Sequence, residues 1–311
     1  MRRFAALVRA NSVALATWAV IIGGWEVAAH LVPESQLRGS PIVPSLEFIW
    51  TDTLKSLSGS WTVHRWAPNP AFGGRETYLG AVLAIAYHSF FTLTRVVLGV
   101  LVGGFAGVVG GLLISYSRVV RWVAWGPLNF LRMVPLLAAI PLFGFWFGAN
   151  TRGTTTFIAI GVWVLLVIAT INAVRNVPNY YAESARTLGA SRLQTYIRVV
   201  VPRALPELRT GLLLAAGLGW SLGVGSEYIG LRTGLGSIMA SATAEANTGR
   251  MILMAVLIIT YALLTFAVLN ALFTRMVHWM PQKPRTAIGA APLVTRRLDA
   301  TQGEVDTLET V

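Results

Sequence analysis

Six stretches of this chain carry no charged residue over a length comparable to the roughly 30 Å hydrocarbon core of a bilayer. They are residues 10–25 (continuing past Glu26 to about Val32), 96–117, 133–151, 153–174, 210–226 and 251–274. Apolar runs of this length read as membrane-spanning helices, so the expected fold class is all-α, a polytopic membrane protein with six transmembrane helices. Composition agrees: 12% of the 311 residues are charged, about half of the roughly 25% that a soluble domain carries. With no cysteine, disulfide frameworks, thiolate metal sites and cysteine nucleophiles are excluded.

The chain holds 25 Lys and Arg against 13 acids, an excess that in a soluble protein would point to nucleic acid. Here most arginines lie between apolar runs, which implies no nucleic-acid partner but a role in topology. Arg2, Arg3 and Arg9 precede the first span, Arg118 and Arg121 lie between the second and third, and six arginines from Arg175 to Arg209 fill the segment between the fourth and fifth. Arg275, Lys283 and Arg285 follow the last. The opposite loops hold Arg38, Lys55, Arg65 and Arg75 over a long first loop, then Arg95, Arg152, Arg232 and Arg250 singly. Both termini and the 175–209 segment are therefore expected in the cytoplasm, with the loop 33–87 outside. The organisation reads as a cytoplasmic N-terminus over 1–10, a transmembrane domain over 11–280 and a disordered cytoplasmic tail over 281–311. Trp122, Trp125 and Trp279 near inner ends, and Trp146 near an outer end, suit interfacial belts. In the first loop an amphipathic stretch places Leu46, Ile49, Trp50, Leu54 and Leu57.

Within the spans, Gly99, Gly103, Gly107 and Gly111 recur every four residues, forming a groove that another helix can approach closely, in this chain or in a second copy. Pro135 and Pro141 interrupt the third span, and broken helices often line cavities. Arg132, just before the break, either snorkels to the interface or faces a polar pathway. Glu26 and Glu227 are the acids at membrane depth, each either a partnered carboxylate or a solute ligand. Trp220 and Ser221 precede Glu227 by one to two turns and complete the pathway candidates.

Catalytic signatures are missing. His30, His64, His88 and His278 fall at span ends or in the first loop, and HExxH, GxSxG and paired carboxylates within the spans are absent. No GxxxxGK[ST] motif could cradle a nucleotide. Uphill transport would need energy from a partner or an ion gradient, and the chain itself is expected to be neither an enzyme nor the holder of a cofactor.

The segment Glu183–Pro206, ESARTLGASRLQTYIRVVVPRALP, is too structured for a simple connector. Pro178 suits a first helical turn, and Tyr181, Ala185 and Leu188 are expected to share a face. Gly189 supplies a left-handed stop, and Ser191 with Gln194 predicts a capping box. The next helix carries a stripe of Leu193, Tyr196, Ile197 and Val200, with Pro202 expected to end it. Glu183, Arg186, Thr187, Arg192 and Arg198 are left exposed.

Glu183, Ala185, Gly189, a nine-residue gap, Val199, Val201 and Pro202 resemble the EAA loop of binding-protein-dependent ABC importer permeases. The departures are Ser184 in place of Ala and valine at both aliphatic positions. RMVPLLAAIPLFGFWFG (132–148) and SEYIGLRTGLGSIM (226–239) resemble stretches of the nitrate, sulfonate, taurine and bicarbonate branch, with Glu227 and Gly234-Leu235-Gly236 in matching places. The resemblance covers about 11–280 and implies a type I ABC importer permease fold, acting with a second permease copy as a homodimer in the lipid of the bacterial inner membrane. It further implies ATPase subunits that hold ATP and Mg, and a periplasmic substrate-binding protein that delivers a small anion. Glu183, Ser184, Ala185, Arg186, Leu188 and Gly189 would form the ATPase-coupling element. The rival reading is a gradient-driven secondary transporter, which would need inverted-repeat halves and a protonatable residue in mid-membrane.

Overall fold

The computed structural model describes residues 12–32, 41–61 and 73–276. The segments expected as N-terminus (1–10) and tail (281–311), and Trp279, lie outside the described residues. The chain divides into two units, Met1–Phe273 and Thr274–Val311, the second described only through Thr274, Arg275 and Met276.

Every regular element among the described residues is helical. In chain order they are α1 (Ser12–Leu31), a short outer helical run over residues 46–60, α2 (Tyr78–Tyr116), α3 (Arg118–Met133), α4 (Ile140–Phe147), α5 (Thr151–Arg175), α6 (Asn179–Thr187), α7 (Arg192–Thr195), α8 (Val201–Gly230), α9 (Leu235–Ala244) and α10 (Thr248–Met276). Among the described residues, four helices are long and apolar enough to cross a membrane: Tyr78–Tyr116, Thr151–Arg175, Arg192–Gly230 and Thr248–Arg275. A bent pair, Arg118–Met133 with Leu136–Phe147, makes a fifth if counted as one span. Six were expected; the expected first span is a helix of 20 residues, Ser12–Leu31.

Two boundaries differ from the sequence reading. Apolar helix begins at Tyr78, within the stretch assigned to the first loop, where Thr77 Oγ1 accepts a hydrogen bond from the Gly80 N–H at 3.1 Å. The broken span bends by 78° around Val134 and Pro135. Pro141 does not break it: this proline sits in the first turn of α4, where a missing N–H costs nothing.

The core is built where α2, α5 and α8 meet, around Val96, Phe157, Ile158, Leu166, Trp220 and Leu222. Glycines set the spacing. A Cβ on Gly99 would lie 2.5 Å from Ile158 Cγ2 and one on Gly107 2.7 Å from Leu166 Cβ, while at Gly103 it would overlap the Ala159 carbonyl. The groove of α2 is therefore filled by this chain's own α5, and the reading as a contact with a second copy is set aside. From the other side, Gly219 and Gly223 of α8 admit Val100 and Val96 of α2.

The outer helical run caps this core at one end. Leu57 packs with Ala81 of α2, Leu235 and Ile238 of α9 and Met254 of α10. Arg250 clamps the run by donating from Nε to Ser56 Oγ at 2.8 Å and from Nη2 to the Ser56 carbonyl at 3.1 Å. Glu26 accepts from the Leu46 N–H at 3.1 Å and Trp25 Nε1 donates to the Pro44 carbonyl at 3.0 Å, so α1 holds the start of the run. Leu46 and Trp50, two members of the expected amphipathic face, are exposed.

Gly103→Ala should destabilise the fold by about 1–3 kcal/mol through overpacking, whereas Gly104→Ala, whose Cβ would stand 3.7 Å from Leu166 Cδ1, should be neutral. Thermal unfolding of the two detergent-purified variants checks this; equal melting temperatures would remove the groove as a packing determinant.

Candidate functional site

Local sequence signals build the segment between α5 and α8 almost turn by turn. Pro178 forms the N-cap of α6 and Leu188 its C-cap. Gly189 then takes φ +85°, a conformation that costs residues with a Cβ but not glycine. Ser191 and Gln194 cap α7 reciprocally: Ser191 Oγ accepts from the Gln194 N–H at 3.3 Å and Gln194 Oε1 from the Ser191 N–H at 2.9 Å.

Two local readings change. Tyr181 and Ala185 face inward together, but Leu188 is 88% exposed because the C-cap has left the helical face. In the second stripe Tyr196 and Val200 are half-buried while Leu193 and Ile197 point out. Pro202 does not end the helix. A π turn over Tyr196–Val200 precedes it and Pro202 falls in the first turn of α8, so the winding passes through it. Arg192 to Gly230 is thus one continuous rod of 39 residues.

This helix–turn–helix is braced on the end of α2. Tyr196 Oη donates to the Leu112 carbonyl at 2.7 Å, Arg192 Nη2 donates to the Tyr116 carbonyl at 3.1 Å, and the Arg192 guanidinium lies over the Tyr116 ring at 5.1 Å. Arg203 covers the Tyr181 ring at 4.8 Å and so ties α6 to α8. Outward from this brace stand Glu183, Ser184, Arg186, Leu188 and Gly189, all exposed, with Ala185 half-buried beneath them.

At the other end of α8 lies a buried polar knot. Glu227 and Arg95 are each 1% exposed, with Arg95 Nη1 at 2.7 Å from Glu227 Oε1. Glu227 Oε2 also accepts from Thr92 Oγ1 at 2.8 Å and from the Gly236 N–H at 3.1 Å. Arg95 spends its remaining donors on the Thr233 carbonyl and Thr233 Oγ1, both at 2.6 Å, and on Thr151 Oγ1 at 3.1 Å. His88 reaches the Ser60 carbonyl at 3.1 Å through Nε2, and its Nδ1 lies 3.0 Å from the Gly234 nitrogen. Gly234 has φ +115°, and a Cβ there would overlap the Glu227 carboxyl group. The knot joins α2, α5, α8, the turn before α9 and the outer run.

The four pathway candidates are not brought together. Glu227 is consumed by the knot. Trp220 is buried, stacked on Tyr261, and donates to Thr265 Oγ1 at 3.2 Å. Ser221 is exposed and donates to the Gly217 carbonyl. Arg132 is exposed at the wall of a cavity of about 400 Å³, where Pro135, Leu136, Leu218 and Leu222 make an apolar lining between the broken span and α8. The sequence reading missed Arg95, which it took as a loop arginine. A single unmatched cation at the edge of one span and a single acid at the edge of another was the available signal.

A family model described as "Binding-protein-dependent transport system inner membrane component" matches residues 96–285. The taurine transport system permease protein TauC of Escherichia coli (strain K12) is 31% identical over 62% of this chain and 70% of its own length. The nitrate import permease protein NrtB of Leptolyngbya laminosa is 30% identical over 67% of this chain and 74% of its own. Among solved structures, a chain of the MetNI methionine ABC transporter superposes with TM-score 0.51 at 20% identity, covering 62% of this chain and 94% of that one.

Removing one partner of a buried pair leaves the other charge uncompensated, at a cost of about 3–5 kcal/mol. Glu227→Ala and Arg95→Ala should each lose that stability in denaturant or thermal unfolding, and the pair should be strongly non-additive in a double-mutant cycle. Additive losses would show that the two side chains act separately.

Proposed function

The chain belongs to the family of binding-protein-dependent transport system inner membrane components, and we propose how its geometry serves that role. It is the permease subunit of an ABC importer, a multi-pass protein of the inner membrane, with ATP hydrolysis on a separate chain. An ATPase and a binding protein are the partners this family membership implies, and ATP and Mg act through that ATPase; we propose that this chain binds no cofactor itself.

Coupling runs through α6 and the turn that follows. The single observation that carries this reading is that Glu183, Ser184, Arg186, Leu188 and Gly189 are presented to solvent by an element clamped on its other side to α2 and α8. An apolar side chain left 88% exposed, on the same exposed segment as the Glu183 carboxylate, suits a docking knob for a partner groove. Movement of that knob on ATP-driven closure would travel along the rod Arg192–Gly230, about 58 Å at about 1.5 Å per residue. Because α2, α5 and α8 meet at glycine distance, they would turn as one body and open the solute route to the other side.

The cargo is a small anion of the sulfonate, taurine, nitrate or bicarbonate kind. The taurine and nitrate roles of the similar permeases support this, as does Arg132 at the wall of an otherwise apolar cavity. The permease works as a pair of copies: few residues of α10 are fully buried within one chain, and Phe145 and Trp146 of α4 are widely exposed, leaving apolar faces for lipid and a second copy. Both termini and the 175–209 segment face the cytoplasm. In this reading the transmembrane domain runs over 11–280, and the outer loop that starts near 33 gives way to helix at Tyr78, short of the expected limit of 87.

Gly189→Val places a β-branched residue at positive φ, a strain of about 1–3 kcal/mol, and Glu183→Lys reverses the charge beside the knob. Both variants should insert normally yet lose capture of the ATPase subunit in pull-downs, with uptake falling in parallel; full ATPase binding and full transport in both would reject the coupling role. Arg132→Gln should cut anion uptake about tenfold or more, the weight of one charge-assisted hydrogen bond, with assembly intact. Unchanged uptake would make Arg132 an interfacial anchor.

A further inference from the structure

Beside the coupling segment lies a second cavity, of about 690 Å³, that the reading above does not use. Four arginines line it: Arg118 and Arg121 from the first turn of α3, Arg186 from α6 and Arg192 from α7. No acidic side chain is among its lining residues, and none of the four forms an ion pair among the described residues. Thr195, 2% exposed, also lines it, and its hydroxyl finds no hydrogen-bond partner. The positive end of the 16-residue helix α3 adds to the same potential. Four like charges converging from three elements repel one another, and no acidic side chain among the described residues pairs with them.

What stands next to the cavity indicates the ligand. On α3, between and beyond the two arginines, Val119, Trp122 and Val123 are 72%, 84% and 64% exposed. A solvated face would not carry these side chains; a lipid-facing one would. Guanidiniums in a recess beside an apolar strip at the membrane's edge match a headgroup with its acyl chains. We propose that this cavity binds a phosphate-type oxyanion, supplied by the headgroup of an anionic phospholipid whose chains lie along α3. Bridging Arg118 and Arg121 to Arg186 and Arg192, the phosphate staples the coupling segment to the start of α3. This goes beyond the transport reading, which it uses only to name the cytoplasmic leaflet as the source.

Native mass spectrometry of the full-length chain in detergent, titrated with phosphatidylglycerol or phosphatidylcholine, tests the site without depending on transport or orientation. Wild type should bind phosphatidylglycerol about tenfold or more tightly than phosphatidylcholine. Arg118→Gln/Arg121→Gln should erase that preference. Arg175→Gln/Arg198→Gln, which removes two exposed arginines outside the cavity, should keep it. Displacement of the lipid by millimolar inorganic phosphate supports the same oxyanion chemistry with solution as a competing source. Equal binding of the two lipids by wild type overturns the proposal and leaves the guanidiniums to an acidic protein surface. So does equal loss in the two double variants, which would mean diffuse charge and no site. Should the Arg118/Arg121 variant not be recovered, the wild-type lipid comparison together with Arg121→Gln alone decides.

Discussion

Four glycines on one face of α2 allow α5 to come so close that Ile158, Leu166, Thr170 and the Ala159 carbonyl occupy the space where Cβ atoms would otherwise stand. In a bilayer, lipid tails are as apolar as the helices, so close packing rather than exclusion of water must hold the bundle together. Everything else in this structure hangs on that approach. It sets the separation at which Val96 and Val100 of α2 also meet Gly223 and Gly219 of α8, and it brings Arg95 within reach of Glu227.

The buried pair is the consequence with the highest stakes. A carboxylate and a guanidinium away from water are tolerable only when nearly every donor and acceptor is used. Here Thr92, Thr151, Thr233 and the Gly236 N–H complete the set. The knot fixes one end of α8, while Tyr196, Arg192 and Arg203 brace the other. A rod held at both ends by specific polar contacts can carry displacement from one of its ends to the other.

The sequence made legible whatever is decided locally. Uninterrupted apolar length located the spans, and the every-fourth-residue glycines marked the groove. Pro178, Gly189 and the Ser191–Gln194 box mark out the helix–turn–helix. What stayed hidden depends on partners distant in the chain. Arg95 and Glu227 are 132 positions apart, so neither charge reveals the other, and Arg95 reads as a loop residue because the uncharged run starts just after it. Periodicity also misplaced Leu188, since a helical face ends where the C-cap begins. Pro202 read as a stop because nothing in composition announces the π turn that absorbs it. The docking of Leu57 on α9 and α10, across an outer run that sequence alone leaves as a loop, belongs to the same class.

The exposed turn around Leu188 is proposed as the point where force enters this permease. The chain has no cysteine, so Leu188→Cys would carry its only thiol. Labelling of that thiol by a water-soluble maleimide, with and without the ATPase subunit bound, measures the claim directly, with Tyr78→Cys at the opposite end as reference. Strong labelling of the permease alone and clear protection of Leu188→Cys, but not Tyr78→Cys, are expected once the ATPase is present. Equal labelling of Leu188→Cys with and without bound ATPase would contradict it.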